Sequence, residues 1–402
     1  MSVAYKAEDT TLGRPGAHVR ARGRRLRRAR CLVAYWQGAE LILENYLRRE
    51  SVSADLENAA VLQFFSEWRT PQSIHRAMPQ IDRANLDKVV RDFERLGLLL
   101  REGSPEAARD ARVEKVWGTW LPAAGLLHFS SRDAEYTSYP AVTRWLRKLR
   151  RERPAPPLVK RYRGLREIEL PAPDREGELA KTLLRRRTWR KFGAGRLALA
   201  DLATLLWLTW GVQAWIDVPA GRLALKTSPS GGARHPIEVY VLARKVEGLR
   251  AGLYHYAPDA HRLRLLRPGA SERQMAEHVG GQEWFGGAAA EMLMTAVLPR
   301  TLWKYRYAGA YRNMYIDAGH LGQTFCLVAE RLGLAPYCTR APAESRIEHD
   351  LGIDGVSETA LYVVGAGTRP AGPWTTGGRQ APVISTRGLK YAGAMPAQGR
   401  RA

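Results

Sequence analysis

Lys304 and Tyr305 stand side by side, after Trp303 and ahead of Tyr307, Tyr311, Arg312, Asp317, His320 and Gln323. A neutral lysine amine or a phenolate takes a proton when burial or a cationic neighbour tunes its pKa, so the pair can do general acid–base chemistry. The plain alternative is a surface amphipathic pair, and the aromatic and polar company weighs against it. Upstream, Arg186-Arg187-Thr188-Trp189-Arg190 sets guanidinium forks beside a hydroxyl. Such forks suit phosphate oxygens and polarised carbonyls, although a solvated basic helix end has the same composition. Ser228-Pro229-Ser230-Gly231-Gly232 is too small for a core element. Its glycines let backbone amides approach an anion or a flat ring; otherwise it is a turn into the next strand. No Gly-Lys-Ser/Thr follows, so this is no Walker loop. Asp317 and His320, three residues apart, share a helix face. No Gly-x-Ser-x-Gly elbow accompanies them, which favours a polar seam over a hydrolase. Arg369, after Gly365 and Gly367, is either a second phosphate ligand or a plain surface arginine.

These residues need elements to hold them. Residues 315–332 read as a long buried helix with Ile316, Leu321, Phe325, Val328 and Leu332 as apolar positions, closed by Gly333-Leu334,. Residues 202–210 form a strongly apolar helix after Asp201. Strands are expected at 237–242, 253–256, 292–297 and 361–364,. Nearer the N-terminus, 41–43 is strand-like, and Val61, Phe64, Phe65 and Trp68 fall on one helix face,. Thr70-Pro71 opens a short helix over 72–77. Asp82 caps a third helix ended by Gly97, and 98–100 re-enters as a strand,. Strand, three helices and strand make a small winged-helix-like module, a scaffold that serves peptide and DNA recognition alike.

A chain of 402 residues implies two domains,. The net charge of +23 asks for an acidic partner: nucleic acid, an anionic membrane or an acidic peptide,. Cys31, Cys326 and Cys338 lack disulfide or metal spacing, and no His-Glu-x-x-His occurs, so a reducing cytoplasm and no metal are expected,. No apolar run is long enough to span a bilayer, and no apolar signal core opens the chain. Eight arginines without an acid between 14 and 30 read as a solvated basic arm,. The expected organisation is arm 1–30, winged-helix-like domain 31–143, extended Arg/Pro-rich linker 144–177, α+β domain 178–370 and irregular tail 371–402,.

In order and spacing, these pieces resemble the nitroreductase-fold flavoproteins, and more narrowly the SagB-type dehydrogenases that oxidise azoline rings in thiazole/oxazole-modified peptides. The resemblance covers roughly 179–370. It implies a nitroreductase-like FMN-binding fold, with FMN held by Arg186, Arg187, Thr188, Arg190, Pro229, Ser230, Gly231, Gly232, Gln323, Gly333 and Arg369. Thr188 stands where the family often has Ser, which keeps the hydroxyl. FMN is preferred over FAD because no Gly-x-Gly-x-x-Gly turn is apparent. Lys304 and Tyr305 become the acid–base pair: aromatising an azoline removes a Cα proton while a hydride leaves Cβ for the flavin. The resemblance further implies a homodimer, a peptide substrate whose leader the basic charge suggests is acidic, and a cyclodehydratase partner. Membrane and nucleic acid are not expected partners. The rival readings are a flavin oxidoreductase acting on another small or peptide substrate, and a winged-helix nucleic-acid-binding regulator.

Overall fold

The computed structural model describes residues 24–133, 139–153, 168–219 and 221–372, with positions 156–157, 159–160, 164, 375–376 and 379–380. The chain divides into two compact units, Met1–Arg112 and Val113–Ala402.

The first unit is a small sheet-and-helix domain. It opens with β1 (Leu26–Arg28), followed by an antiparallel sheet of β2 (Leu32–Gln37), β3 (Glu40–Asn45) and β4 (Glu50–Ala54). The helices α1 (Leu56–Phe64), α2 (Ile74–Ala77) and α3 (Arg83–Arg95) come next. β5 (Leu99–Arg101) then returns beside β1, and α4 (Pro105–Trp117) carries the division between the units. Asp55 and Asp82 cap α1 and α3 by accepting from the Asn58 and Asn85 amides,. Leu26, Leu43, Phe65, Ile74, Leu86 and Phe93 close the core. The expected basic arm needs correction where it is described. Arg27 is buried and donates to Asp110 at 3.0 Å, so the end of that arm is a core strand. A buried aspartate, 83 residues away in sequence, pairs the charge that composition alone reads as solvated,.

In the second unit, α5 (Ala123–Ser130) and α6 (Tyr139–Glu152) lead to α7 (Glu178–Arg185) and α8 (Leu199–Trp210). The segment expected to be extended from residue 144 is therefore helical as far as Glu152: no proline interrupts it before Pro154,. A hairpin of β6 (Ala214–Val218) and β7 (Gly221–Leu225) precedes β8 (Ile237–Ala243), β9 (Gly252–Ala257) and β10 (Arg262–Pro268). Then come α9 (Glu272–His278), α10 (Glu283–Gly286), β11 (Ala290–Val297), α11 (Leu298–Leu302), α12 (Tyr311–Arg331), β12 (Ala335–Thr339), α13 (Glu344–Leu351) and β13 (Glu358–Gly367).

Six of these strands form one antiparallel sheet in the order β10-β9-β8-β11-β13-β12. The unit is thus α+β. β11 is buried along nearly its whole length, as a central strand covered on both faces must be,. One face presents Leu242, Leu293 and Val363 to a core completed by Met275, Phe285 and Ile347 from α9, α10 and α13. α12 lies on the other face, with Gly322 against the Tyr362 ring. A side chain at Gly322 would meet that ring at 2.7 Å, so glycine lets the helix approach,. Beneath the first face, buried His278 bridges Glu291 (2.8 Å) and Asp350 (3.0 Å), and Tyr337 donates to Glu291 at 3.1 Å. Those hydrogen bonds outweigh burial and push the His278 pKa up to about 9,.

Candidate active site

The site grows from the loop between β7 and β8 and from the N-terminal half of α12. Ser230 donates to Asp317 at 2.6 Å, and the Gly231 amide donates to the other oxygen of the same carboxylate at 3.2 Å. His320 lies 3.3 Å from the Pro229 carbonyl, and Ser228 shares a 2.7 Å hydrogen bond with Thr324. Asp317, His320 and Thr324 follow one helix face at spacings of three and four, so one stripe of α12 grips the whole loop. Burial raises the Asp317 pKa, and the two donors oppose that rise.

The clamped loop turns sharply. Gly232 has φ +63°, and the non-glycine residues Ala233 and His235 are also left-handed, at +54° and +43°. Strain of this kind persists only where surroundings hold it. The turn aims Gly232 at Lys304 and Tyr305. A methyl group placed on Gly232 would overlap the Tyr305 hydroxyl and lie 2.7 Å from the Lys304 amine. The amine and the phenol therefore converge on a backbone with no side chain.

Lys304 and Tyr305 follow α11 in a tight turn, with the Tyr305 amide bonded to Thr301 at 2.9 Å. The Trp120 indole donates to the Tyr305 carbonyl at 2.9 Å. Arg234 lies over the exposed Trp303 ring at 4.5 Å and donates to the Arg300 carbonyl at 3.0 Å.

A second cluster forms at the far end of α12. Arg369 donates to Glu330 at 2.7 Å and to the Leu334 carbonyl at 2.9 Å, and its guanidinium sits 5.6 Å from the Trp189 ring. The Trp189 amide donates to the Pro336 carbonyl, and the Gly193 amide to Thr368, each at 2.8 Å. This pins the Arg186–Arg190 segment to β12 and to the end of β13. Arg187 folds back on the Leu184 and Arg186 carbonyls. Among the described residues, no ion pair or side-chain hydrogen bond engages Arg186 or Arg190, although Arg186 lies near enough to Cys338 to lower its pKa.

Residues 183–368 match the family model described as Nitroreductase family. This segment is a nitroreductase-family domain. Among relatives, MJ1384 of Methanocaldococcus jannaschii, named as a nitroreductase, is 29% identical over 46% of this chain and 90% of its own length. The trifolitoxin-processing protein TfxB of Rhizobium leguminosarum bv. trifolii is 34% identical over 34% of this chain and 38% of its own. The microcin B17-processing protein McbC of Escherichia coli is 30% identical over 34% of this chain and 51% of its own. The match thus spans about half or less of the two processing proteins. A chain of the E. coli microcin synthetase McbBCD complex with truncated pro-MccB17 bound is 22% identical, with a TM-score of 0.41, covering 58% of this chain and 94% of that one.

Within the nitroreductase-family domain, the expected residues fall into two groups. Pro229, Ser230, Gly231 and Gly232 meet Lys304 and Tyr305. Arg186, Arg187, Thr188 and Arg190 gather with Arg369. Asp317, which holds the first group, and Glu330, which pairs with the second, lie thirteen positions apart on α12, about 20 Å along the helix,. Gln323 is exposed on α12, and Gly333, with φ +73°, is an exposed turn closing that helix. The expected seam of Asp317 and His320 is the clamp on the loop.

Some contributors are invisible to sequence spacing. Trp120 reaches Tyr305 across 185 residues, Asn313 backs Gly231, and Glu330 neutralises Arg369. Their only signal is a buried-residue pattern shared with ordinary core positions. Cys326 and Cys338, spaced without any pairing pattern, are free thiols joined by a hydrogen bond that draws the Cys338 pKa down, with Tyr362 and Arg186 adding to it.

Proposed function

We propose that this protein is an FMN-dependent dehydrogenase that oxidises azoline rings to azoles in a ribosomally made peptide. The observation that carries the reading is the convergence of Lys304 and Tyr305 on the bare backbone of Gly232. A proton acceptor pair is thus held against the glycine loop that the resemblance assigns to the cofactor. The names of TfxB and McbC, which process trifolitoxin and microcin B17, support a peptide as the substrate.

The residues present fit FMN. The uncommitted guanidinium groups of Arg186 and Arg190 match a phosphate, and the Thr188 hydroxyl lies between them in sequence,. The Gly231-Gly232 backbone carries no side chain, and the Tyr305 hydroxyl, the Lys304 amine and Asn313 pack against it. Arg369 contributes less charge than its sequence position promises, because Glu330 pairs with it. Bound FMN would supply the two-electron acceptor that aromatisation requires. The chain's own part is the proton. Tyr305 takes it from the ring Cα, with the Lys304 amine beside it, 5.5 Å from the phenol ring centroid,.

We further infer a homodimer. A second copy would set its loop against the Arg186 segment of the first and complete the cofactor site. α8 and α12 leave Trp207 and Ile316 exposed, at 41% and 54%, as apolar contacts for such a copy,. The first unit, in which β2 and β4 are the sheet edges among the described residues, is suited to hold a peptide leader by strand addition,.

The test is direct. Protein reconstituted with FMN is incubated with an azoline-bearing peptide, and mass spectrometry reads the product. Loss of two hydrogens per ring supports the reading. A protein that binds no FMN, or leaves the ring unchanged, contradicts it.

A further inference from the structure

The loop that presents Gly232 to Lys304 and Tyr305 has a second side. Ala233, Arg234 and His235 line a cavity of about 700 Å³, roofed by the β6–β7 hairpin and floored by β8 and β9. Within it two of the three carboxylates are committed. Glu238 pairs with Arg300 at 2.5 Å and with His255 at 2.8 Å. Glu358 accepts from Tyr240 at 2.9 Å and from Thr295 at 2.5 Å.

Lys226 is not committed. It lines the cavity from the residue after β7, and among the described residues no hydrogen bond or ion pair holds its ammonium. Burial pushes its pKa down to about 8, with Arg300 adding to the fall while Glu238 and Asp259 oppose it. His235 brings no compensating charge: burial and Lys226 push its pKa down to about 4, and its Nε2 lies 3.0 Å from the Ala224 carbonyl. The cavity wall carries five cations, Lys226, Arg222, Arg234, Arg264 and Arg300, against three acids, Glu238, Asp259 and Glu358. A partly desolvated ammonium gains from an incoming anion what it lost from water.

We propose that this cavity is a carboxylate subsite in which Lys226 receives an acidic side chain of the substrate peptide, flanking the ring under oxidation. The choice of a peptide rests on the function proposed above, but binding itself requires neither flavin nor turnover. The rim suits a chain rather than a lone ion. Trp215 lies beneath Arg222 at 4.9 Å and gives an apolar shelf beside the charges. The shared loop ties the subsite to the chemistry, since residues 233–235 are continuous with Gly232. A seated acidic residue would thus fix the peptide's register relative to Tyr305. This makes Lys226 a specificity residue, not a catalytic one.

The experiment is calorimetric titration of the full-length protein with acetyl-Glu-Gly-Glu-amide and with its Gln-Gly-Gln counterpart. Wild type should bind the acidic peptide about tenfold or more tightly than the neutral one, the worth of a charge-assisted hydrogen bond. Lys226→Met should abolish that preference, and Lys226→Arg should retain most of it. Circular dichroism confirms that each variant is folded. Equal affinity for the two peptides, or a preference unchanged in Lys226→Met, overturns the proposal. Full displacement of the peptide by equimolar acetate or inorganic phosphate also overturns it, because the cavity would then serve a small free anion. If the preference is found but no ring is oxidised, the subsite stands and the dehydrogenase reading fails.

Discussion

Gly232 meets two demands at the residue scale: a left-handed φ, and room for the Tyr305 hydroxyl and the Lys304 amine. Gly232→Ala therefore costs about 1–2 kcal/mol in backbone strain and displaces the pair. A displacement near 1 Å lowers turnover by about 100-fold, so steady-state kinetics should show a far larger loss than the thermal midpoint does. Asp317 holds the same turn from below. Asp317→Ala leaves the Ser230 hydroxyl and the Gly231 amide without their acceptor, and should cost about 1–3 kcal/mol in urea unfolding,. Asp317→Asn should lose less, since an amide oxygen still accepts. Lys304, Tyr305 and Gly232 were legible as residues because they sit in a short ordered motif. Asp317 was visible as a residue but not in its role: a carboxylate on a helix face carries no sequence mark of the loop 86 residues upstream that it holds.

Long periodic elements were read well, and edge strands poorly. α8 and α12 appear where the apolar spacing puts them, α12 starting four residues early at Tyr311. β12 went unread because it is an edge strand containing Pro336, a residue that breaks the usual pattern,. β10 went unread because arginine alternates with leucine on an exposed edge. The residues joining α9, β11 and α13 were equally silent in sequence, yet they set a pH dependence. His278 carries a pKa raised to about 9 from an ordinary 6.5. Its stabilisation is therefore full below pH 6.5 and is lost as pH rises through about 9,. Asp350, held low by His278 and Gln274, contributes above its ordinary 3.8 and loses that contribution on acidification. Urea unfolding should show stability falling by a few kcal/mol between about pH 6.5 and 9.5. His278→Gln should remove that fall while lowering stability at neutral pH by about 3–5 kcal/mol. An unchanged pH slope in the variant would assign the effect elsewhere.

At the scale of the whole molecule, composition supplied the +23 charge and the expectation of two domains. What composition could not supply is the distance between the Arg186 segment and the Gly232 loop within one chain. If a second copy closes that gap, two defective variants should rescue each other. On the proposed roles, Arg190→Ala removes a phosphate ligand and Tyr305→Phe removes the base, so a mixed dimer has one site free of both defects. Mixing the inactive proteins under subunit exchange should restore up to roughly a quarter of the wild-type sites. No recovery, with exchange verified by mass spectrometry, would place each site within one chain. The central claim, that Lys304 and Tyr305 move the proton, is tested most directly by anaerobic single-turnover reduction of the flavin with an azoline peptide. Lys304→Ala and Tyr305→Phe should each slow reduction about 10²–10⁴-fold with FMN content unchanged. Reduction at the wild-type rate in both variants, and in the double variant, would contradict the account and leave the pair a structural one.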